Sequence, residues 1–244
     1  MTLFIKRYPD GGRAAKARAN HRWLTSLNSG VLLPDLVHSG KTALAFTKLD
    51  GSTPSADDLV TLAATIGRLQ RAAFPALTTA RLDRTHSIGT HDIEDFTESR
   101  RAALHTAAAA HGTSPQWTDA VLDRAAGMPP AFYKDSNLRN FILTPRGVAI
   151  VDFDDLTLAP HGYDLAKLIV STAMTHGRIE AHAVSAALDA YNTTVGHNAC
   201  IAMDLTIWAE LNWLFTANYL GRNGYRHPWP LIRPWADPLR EGIR

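Results

Sequence analysis

The chain has 244 residues, 45% of them hydrophobic, with 25 basic and 23 acidic side chains and a formal charge of +2. That supports one large domain or two small lobes with a real core, and the charge is too small to imply nucleic-acid binding. A single cysteine, Cys200, excludes an intramolecular disulfide framework and fits a reducing cytoplasm; no apolar run approaches the roughly 18 residues of a membrane span, and the N-terminus lacks a secretory h-region.

Taken in order, residues 2–8 read as a strand, ended by a turn at Pro9-Asp-Gly-Gly12. Residues 13–27 are helical in composition, with Ala14, Ala15, Ala17 and Ala19, and with Trp23, Leu24 and Leu27 able to anchor one face. Residues 36–38 and 44–49 read as two more strands. Ser39-Gly-Lys-Thr42 between them looks like the end of a P-loop, but Asp35 stands where that loop requires a glycine. Up to Thr53 there are eight basic residues against three acidic ones. Ser55 then offers an N-cap with Asp57 and Asp58 in the first turn, followed by Leu59, Leu62, Ile66 and Leu69 at helical spacing. Two further helical segments are expected around residues 94–110 and 118–126. His86, His91, His105 and His111 lack metal-ligand spacing.

The most informative stretch is 131–155. Two apolar runs, 141–143 and 148–151, are separated by Thr-Pro-Arg-Gly and predict a β-hairpin with a four-residue turn. A hairpin returns its ends to one edge, so Asp135, Asn140 and Asp152 are expected to face one small volume. Asp and Asn oxygens suit Mg²⁺, which is completed by water and substrate phosphates, and Asp135 could take a hydroxyl proton and aim the oxygen at phosphorus. Beyond it, helices are expected at 165–174, 181–191 and 203–220, before a tail at 222–244 rich in Pro and Trp. Trp208, Asn212, Phe215 and Tyr219 fall on one helical face.

Tyr133-Lys-Asp-Ser-Asn-Leu-Arg-Asn140, then Val151-Asp-Phe-Asp154 and Pro160-His-Gly-Tyr-Asp164-Leu-Ala166 resemble the catalytic, metal-binding and bracing segments of the aminoglycoside phosphotransferase and choline kinase-like family. The resemblance implies an α+β, two-lobed protein kinase-like fold. A small β-containing N-lobe, residues 1–53, would lack the phosphate-covering hairpin, and residues 54–244 would form a mostly helical C-lobe. It implies Mg²⁺ and ATP, or another NTP, as cofactors. Asp135 would be catalytic base, Asn140 and Asp152 metal ligands, and Asp154 a secondary metal or structural residue. Lys6 would contact phosphate, and Lys48, Leu49 and Asp50 would form the adenine-facing hinge. The C-terminal helices would wall an acceptor cleft, with Trp208, Asn212, Phe215 and Tyr219 as substrate candidates.

Three departures stand out: Tyr133 replaces the family's histidine, the hairpin over the phosphates is missing, and the helix at 13–27 has no Glu to pair with Lys6. The first glutamate is Glu94, which leaves an aspartate, the metal-site carboxylate or a phosphate as the lysine's counter-charge. Without the hairpin and the glutamate, ATP affinity is expected to be weak. From Met203 onward the acids are Asp204, Glu210, Asp237 and Glu241, against Arg222, Arg226, Arg233, Arg240 and Arg244, amid Trp208, Trp213, Phe215, Tyr219, Tyr225, Trp229 and Trp235. Such a wall favours a neutral or anionic hydroxyl acceptor over a polyamine, unless acids between Glu94 and Glu98 line the cleft from the other side. The expected activity is phosphotransfer to a hydroxyl of a small molecule: an antibiotic, sugar, nucleoside or related metabolite. The alternative is a kinase-like binding protein that has lost turnover. The sequence leaves a homo-oligomer open.

Overall fold

The structure, a computed structural model, describes residues 2–235. Asp237, Arg240, Glu241 and Arg244 lie outside the described residues. A three-stranded antiparallel sheet opens the fold: β1 (Leu3–Arg7), β2 (Leu36–Ser39) and β3 (Ala43–Thr47), in the order β1-β3-β2. Between the first two strands runs α1 (Gly11–Ser26). The expected turn at Pro9–Gly12 is instead the start of this helix, because the Asp10 carboxylate accepts from Arg13 N at 2.8 Å and caps it. Its inward face buries Ala14, Ala17, Asn20, His21, Trp23 and Leu24.

The chain then passes into the helical part through Ser52, which exchanges backbone hydrogen bonds with Leu143 at 3.0 and 2.9 Å. Ser55 and Asp58 form the N-terminal capping box of a 3₁₀ turn (Ala56–Asp58) that leads into α2 (Leu59–Leu77). This helix packs along α6 (Ala181–Val195), and Gly67 sits at the closest approach. A Cβ there would lie 2.9 Å from Tyr191 O and from Thr194 Cβ.

Residues 130–160 form two nested antiparallel pairs. The inner pair is the expected hairpin, β7 (Phe141–Thr144) with β8 (Gly147–Ile150). The outer pair, β6 (Pro130–Tyr133) with β9 (Thr157–Pro160), is not legible in the sequence. Gln70 of α2 covers the other edge of β6, donating to Phe132 O at 2.7 Å and accepting from Phe132 N at 3.3 Å. Nesting leaves two loops, 134–140 and 151–156, side by side between the pairs, and Val151 N joins them by donating to Asn140 O at 2.9 Å.

A short hairpin, β4 (His86–Ile88) with β5 (His91–Ile93), precedes α3 (Glu98–Ala110) and α4 (Pro115–Ala126). The C-terminal helices are α5 (Tyr163–His176), α7 (Ala202–Thr216) and the four-residue α8 (Trp229–Ile232). The expected tail is therefore partly built into the core: Trp229 is fully buried and donates Nε1–H to Glu210 at 2.9 Å. Among the described residues no helix is long and apolar enough to cross a membrane.

Candidate active site

Among the described residues, Asp135 and Asp152 are the two acids held at positive φ, 60° and 66°. A non-glycine residue there costs about 1–3 kcal/mol, and such strain persists where surrounding bonds over-determine the backbone. Those bonds are visible. Asn137 N donates to Asp135 O at 2.7 Å, Leu138 N to Ser171 Oγ at 2.9 Å, and Ser136 N to Asp164 Oδ1 at 3.1 Å. Asp164 stands in the first turn of α5, so the helix grips the loop from below. Its helix starts at Gly162, φ 84°, where a Cβ would lie 2.2 Å from Cys200 Sγ.

Asn140 donates Nδ2–H to Asp135 O at 2.8 Å, which aims its other amide atom, Oδ1, away from the loop. On the partner loop, Lys6 Nζ lies 2.7 Å from Asp152 Oδ1 and 2.7 Å from Asp154 Oδ2. Desolvation would lower the Lys6 pKa, but the two carboxylates outweigh it and hold the ammonium above its ordinary value. Burial likewise works against the Asp152 anion, and the charge of Lys6 reverses the shift, keeping that carboxyl below its usual range. Tyr8 OH donates to Asp154 Oδ1 at 3.2 Å. The loop backbone is held from α1, where the buried Asn20 donates to Phe153 O at 2.7 Å and Asp154 O at 3.2 Å.

Two cavities meet at these loops. One, of about 380 Å³, is an apolar slot between Phe4, Phe46 and Leu49 on one side and Ile142 and Val151 on the other, with Lys6, Lys48, Asn140 and Asp152 on its rim. The other, of about 360 Å³, is lined by Asp135, Tyr133, Arg139, Asp155, Lys167, Phe215 and Tyr219 among others. Asp135 thus opens on the second cavity, and Asn140 and Asp152 on the first. Tyr133, in the position of the family's histidine, donates OH to Asp135 Oδ1 at 2.8 Å, and burial first, then Asp135, raises its pKa well above the ordinary phenol value.

A sequence profile described as the phosphotransferase enzyme family matches residues 1–199. The chain belongs to this family. A search of curated proteins by sequence finds no match. Solved structures of family-like kinases share the fold. One is an aminoglycoside phosphotransferase from Streptomyces rimosus in complex with ADP and streptomycin, with 18% identity over 88% of this chain and 87% of that one and a TM-score of 0.58. Another, from Alicyclobacillus acidocaldarius, gives 16% identity, 98% and 79% coverage and a TM-score of 0.59. A macrolide 2'-phosphotransferase from Brachybacterium faecium gives 16%, 96% and 86%, and 0.54. The protein kinase-like fold expected of a phosphotransferase is thereby shown.

Within this phosphotransferase, Lys6, Lys48, Leu49, Asn140 and Asp152 come together on the first cavity. Asp50 does not: it is exposed and off the cavity wall, because the next residues turn to pair with β7, and a Cβ on Gly51 would lie 2.3 Å from Leu143 O. Lys48 N is already committed to Thr2 O at 2.9 Å. Asp154 lies behind the rim, on Lys6. The aromatic stripe of α7 divides. Phe215 and Tyr219 line the second cavity, whereas Trp208 and Asn212 are buried in the core and are corrected from substrate to packing residues. Trp208 meets Phe96 and Tyr163 edge-on, and Asn212 donates to Tyr163 O at 3.2 Å. The helix is apolar nearly all round, so spacing alone could not show which turn emerges at the cavity. Glu94 pairs with Lys16 and Glu98 with Arg101, and neither lines the acceptor side.

Sequence reasoning missed Asn20, Lys134 and Lys167. Lys167 carried a faint signal, since it lies one turn beyond Asp164 on the same helix face. The other two carried none.

Proposed function

We propose that this phosphotransferase moves the γ-phosphoryl group of ATP, or another nucleoside triphosphate, to a hydroxyl of a small molecule, with Mg²⁺ as its metal. The observation that carries the reading is the placement of the two loops between two cavities, with the candidate base on one side and the candidate metal ligands on the other. The apolar slot under Leu49 suits the faces of a purine ring. The donor set fits Mg²⁺: Asn140 and Asp152 offer hard oxygens, and Asp152 and Asp154 already converge on a cation, the Lys6 ammonium at 2.7 Å from each. When bound, Mg²⁺ would offset the charge of the triphosphate oxygens.

The residues of the chain do the rest. Asp135 accepts the proton of the acceptor hydroxyl as that oxygen bonds to the γ-phosphorus, and the bond to the leaving diphosphate breaks with its electron pair. Tyr133 donates to Oδ1 of the carboxylate, and Oδ2, which accepts only a long bond of 3.4 Å from Asn140 Nδ2, keeps a lone pair for the hydroxyl. Lys6, released from a carboxylate, meets phosphate oxygens. The test is transfer of label from γ-labelled ATP, with Mg²⁺, into small molecules of a metabolite extract, the product being identified by mass. Asp135→Asn is expected to lower transfer by about a hundredfold or more while nucleotide binding persists. Wild-type turnover in that variant would remove Asp135 from the role.

A further inference from the structure

The second cavity holds two cations for which the reaction just described has no use. Lys167 is 9% exposed, yet its ammonium has one short partner, Thr216 Oγ at 3.0 Å. That hydroxyl spends its own proton on Asn212 O at 2.6 Å, so it can only accept from the lysine. Its ion-pair partner, Asp135 Oδ1, stands at a long 3.6 Å and already receives the Tyr133 phenol. The ammonium thus has one short hydrogen bond and one long ion pair, which leaves it under-coordinated for so buried a charge. Burial pulls the Lys167 pKa down, and the Asp135 charge opposes it. Arg139, on the same cavity wall, is exposed, and its guanidinium makes no hydrogen bond or ion pair among the described residues.

The wall carries two carboxylates, Asp135 and Asp155, against these two cations. Asp135 is reserved for the hydroxyl proton. Asp155 is the remaining carboxylate, so one acid faces the two cations Lys167 and Arg139. Nearby Glu210 is consumed by Arg233 and Trp229, and Asp204 by Arg124. A polycationic acceptor would meet two like charges here, whereas an anion would complete both cations at once.

We infer that the acceptor is an anionic hydroxyl compound, with a carboxylate or phosphate beside the hydroxyl that is phosphorylated, and that Lys167 and Arg139 receive this group. The inference rests on the phosphotransferase reading of the same site. The roles of the three side chains are then distinct. Asp135 takes the hydroxyl, and the two cations fix the acidic end so that the hydroxyl is the group presented.

The test divides a metabolite extract by ion exchange into acidic, neutral and basic pools and supplies each with the protein, Mg²⁺ and γ-labelled ATP. Label is expected in compounds of the acidic pool. A second acidic sample, treated beforehand with immobilised phosphatase, separates the two sources: label kept after treatment identifies a carboxylate, and label lost identifies a phosphate. Label confined to the neutral or basic pool overturns the inference and leaves phosphotransfer standing, while no label in any pool overturns both. With the acidic acceptor isolated, Lys167→Met and Arg139→Gln are each expected to raise KM on the order of tenfold, the loss of one charge-assisted hydrogen bond. Arg139→Gln alters an exposed side chain, so its stability and nucleotide affinity should match wild type and keep the KM change interpretable. An unchanged KM in both variants also overturns the assignment.

Discussion

Lys134 and Asp164 are two buried, opposite charges beside the loop of the candidate base, and removing either tests how the loop is held. Lys134 is 1% exposed and Asp164 2% exposed. The ammonium has a single long hydrogen bond, to Val151 O at 3.4 Å, and the Phe141 ring at 5.7 Å. The carboxylate accepts Ser136 N at 3.1 Å and Lys134 N at 3.4 Å. Burial raises the Asp164 pKa to about 6 and lowers that of Lys134, and in each the partner's charge opposes the shift. Asp164→Asn removes the largest of the three carboxylate charges that offset the burial of the Lys134 ammonium and weakens the acceptor of Ser136 N, which costs about 1–3 kcal/mol. Lys134→Met strands a carboxylate that can protonate instead. Without the Lys134 charge, which lowers it, the Asp164 pKa rises further above about 6 and the carboxyl protonates readily near pH 7, so a loss of only roughly 1–2 kcal/mol is expected. The double variant has no stranded charge and should fall short of the summed losses by about 2 kcal/mol. Urea unfolding at pH 7, with m checked for constancy, measures all three. Additivity within about 0.5 kcal/mol would refute the claim that these two charges hold each other.

Further outcomes are expected elsewhere. Asp152→Ala should abolish Mg²⁺-dependent nucleotide binding, read by calorimetry with and without the metal; binding of wild-type strength with Mg²⁺ would remove Asp152 from the ligand set. Tyr133→Phe deletes one hydrogen bond to Asp135, about 1 kcal/mol, and should slow turnover roughly fivefold while nucleotide affinity holds. His161 is buried against Tyr191 OH at 3.1 Å, and burial lowers its pKa to about 4 from the ordinary 6.5. The folded state binds the proton less readily than the unfolded one, so stability is full above pH 6.5 and falls by about 3 kcal/mol as pH drops toward 4. Unfolding curves of wild type and His161→Phe over that window isolate the effect, and parallel pH profiles would contradict it.

How much was legible follows from the range over which each signal acts. The hairpin of β7 and β8 is local: three apolar residues, Thr-Pro-Arg-Gly and four more apolar residues, so the sequence alone brought Asn140 and Asp152 to one edge. The pairing of β6 with β9 joins Phe132 to Leu158 across the whole loop system, and each strand is four residues with a proline at one end. Strands that short carry no period-two pattern. Asn20, Lys134 and Lys167 belong to residue types that are usually solvated, and their burial is imposed by tertiary contacts that no neighbour in sequence announces. The stripe on α7 fails for the opposite reason, since nearly every face of that helix is buried.

The missing glutamate of α1 has a structural answer that bears on the proposed reaction. In related kinase logic a helix glutamate holds the strand lysine while the metal-loop aspartate stays free for the ion. Here Asp152 and Asp154 hold Lys6 themselves, so in the proposed reaction the lysine and Mg²⁺ would compete for the same carboxylates. A loop held only by that ion pair would shift whenever the cation changed. Asn20 removes this dependence, because it binds the backbone carbonyls of Phe153 and Asp154 and leaves both carboxylates out of the fixing bonds. In the proposed reaction, an uncharged clamp on the backbone would let the carboxylates pass from lysine to metal while the loop stays in register with Asn140, and would free Lys6 to follow the phosphates.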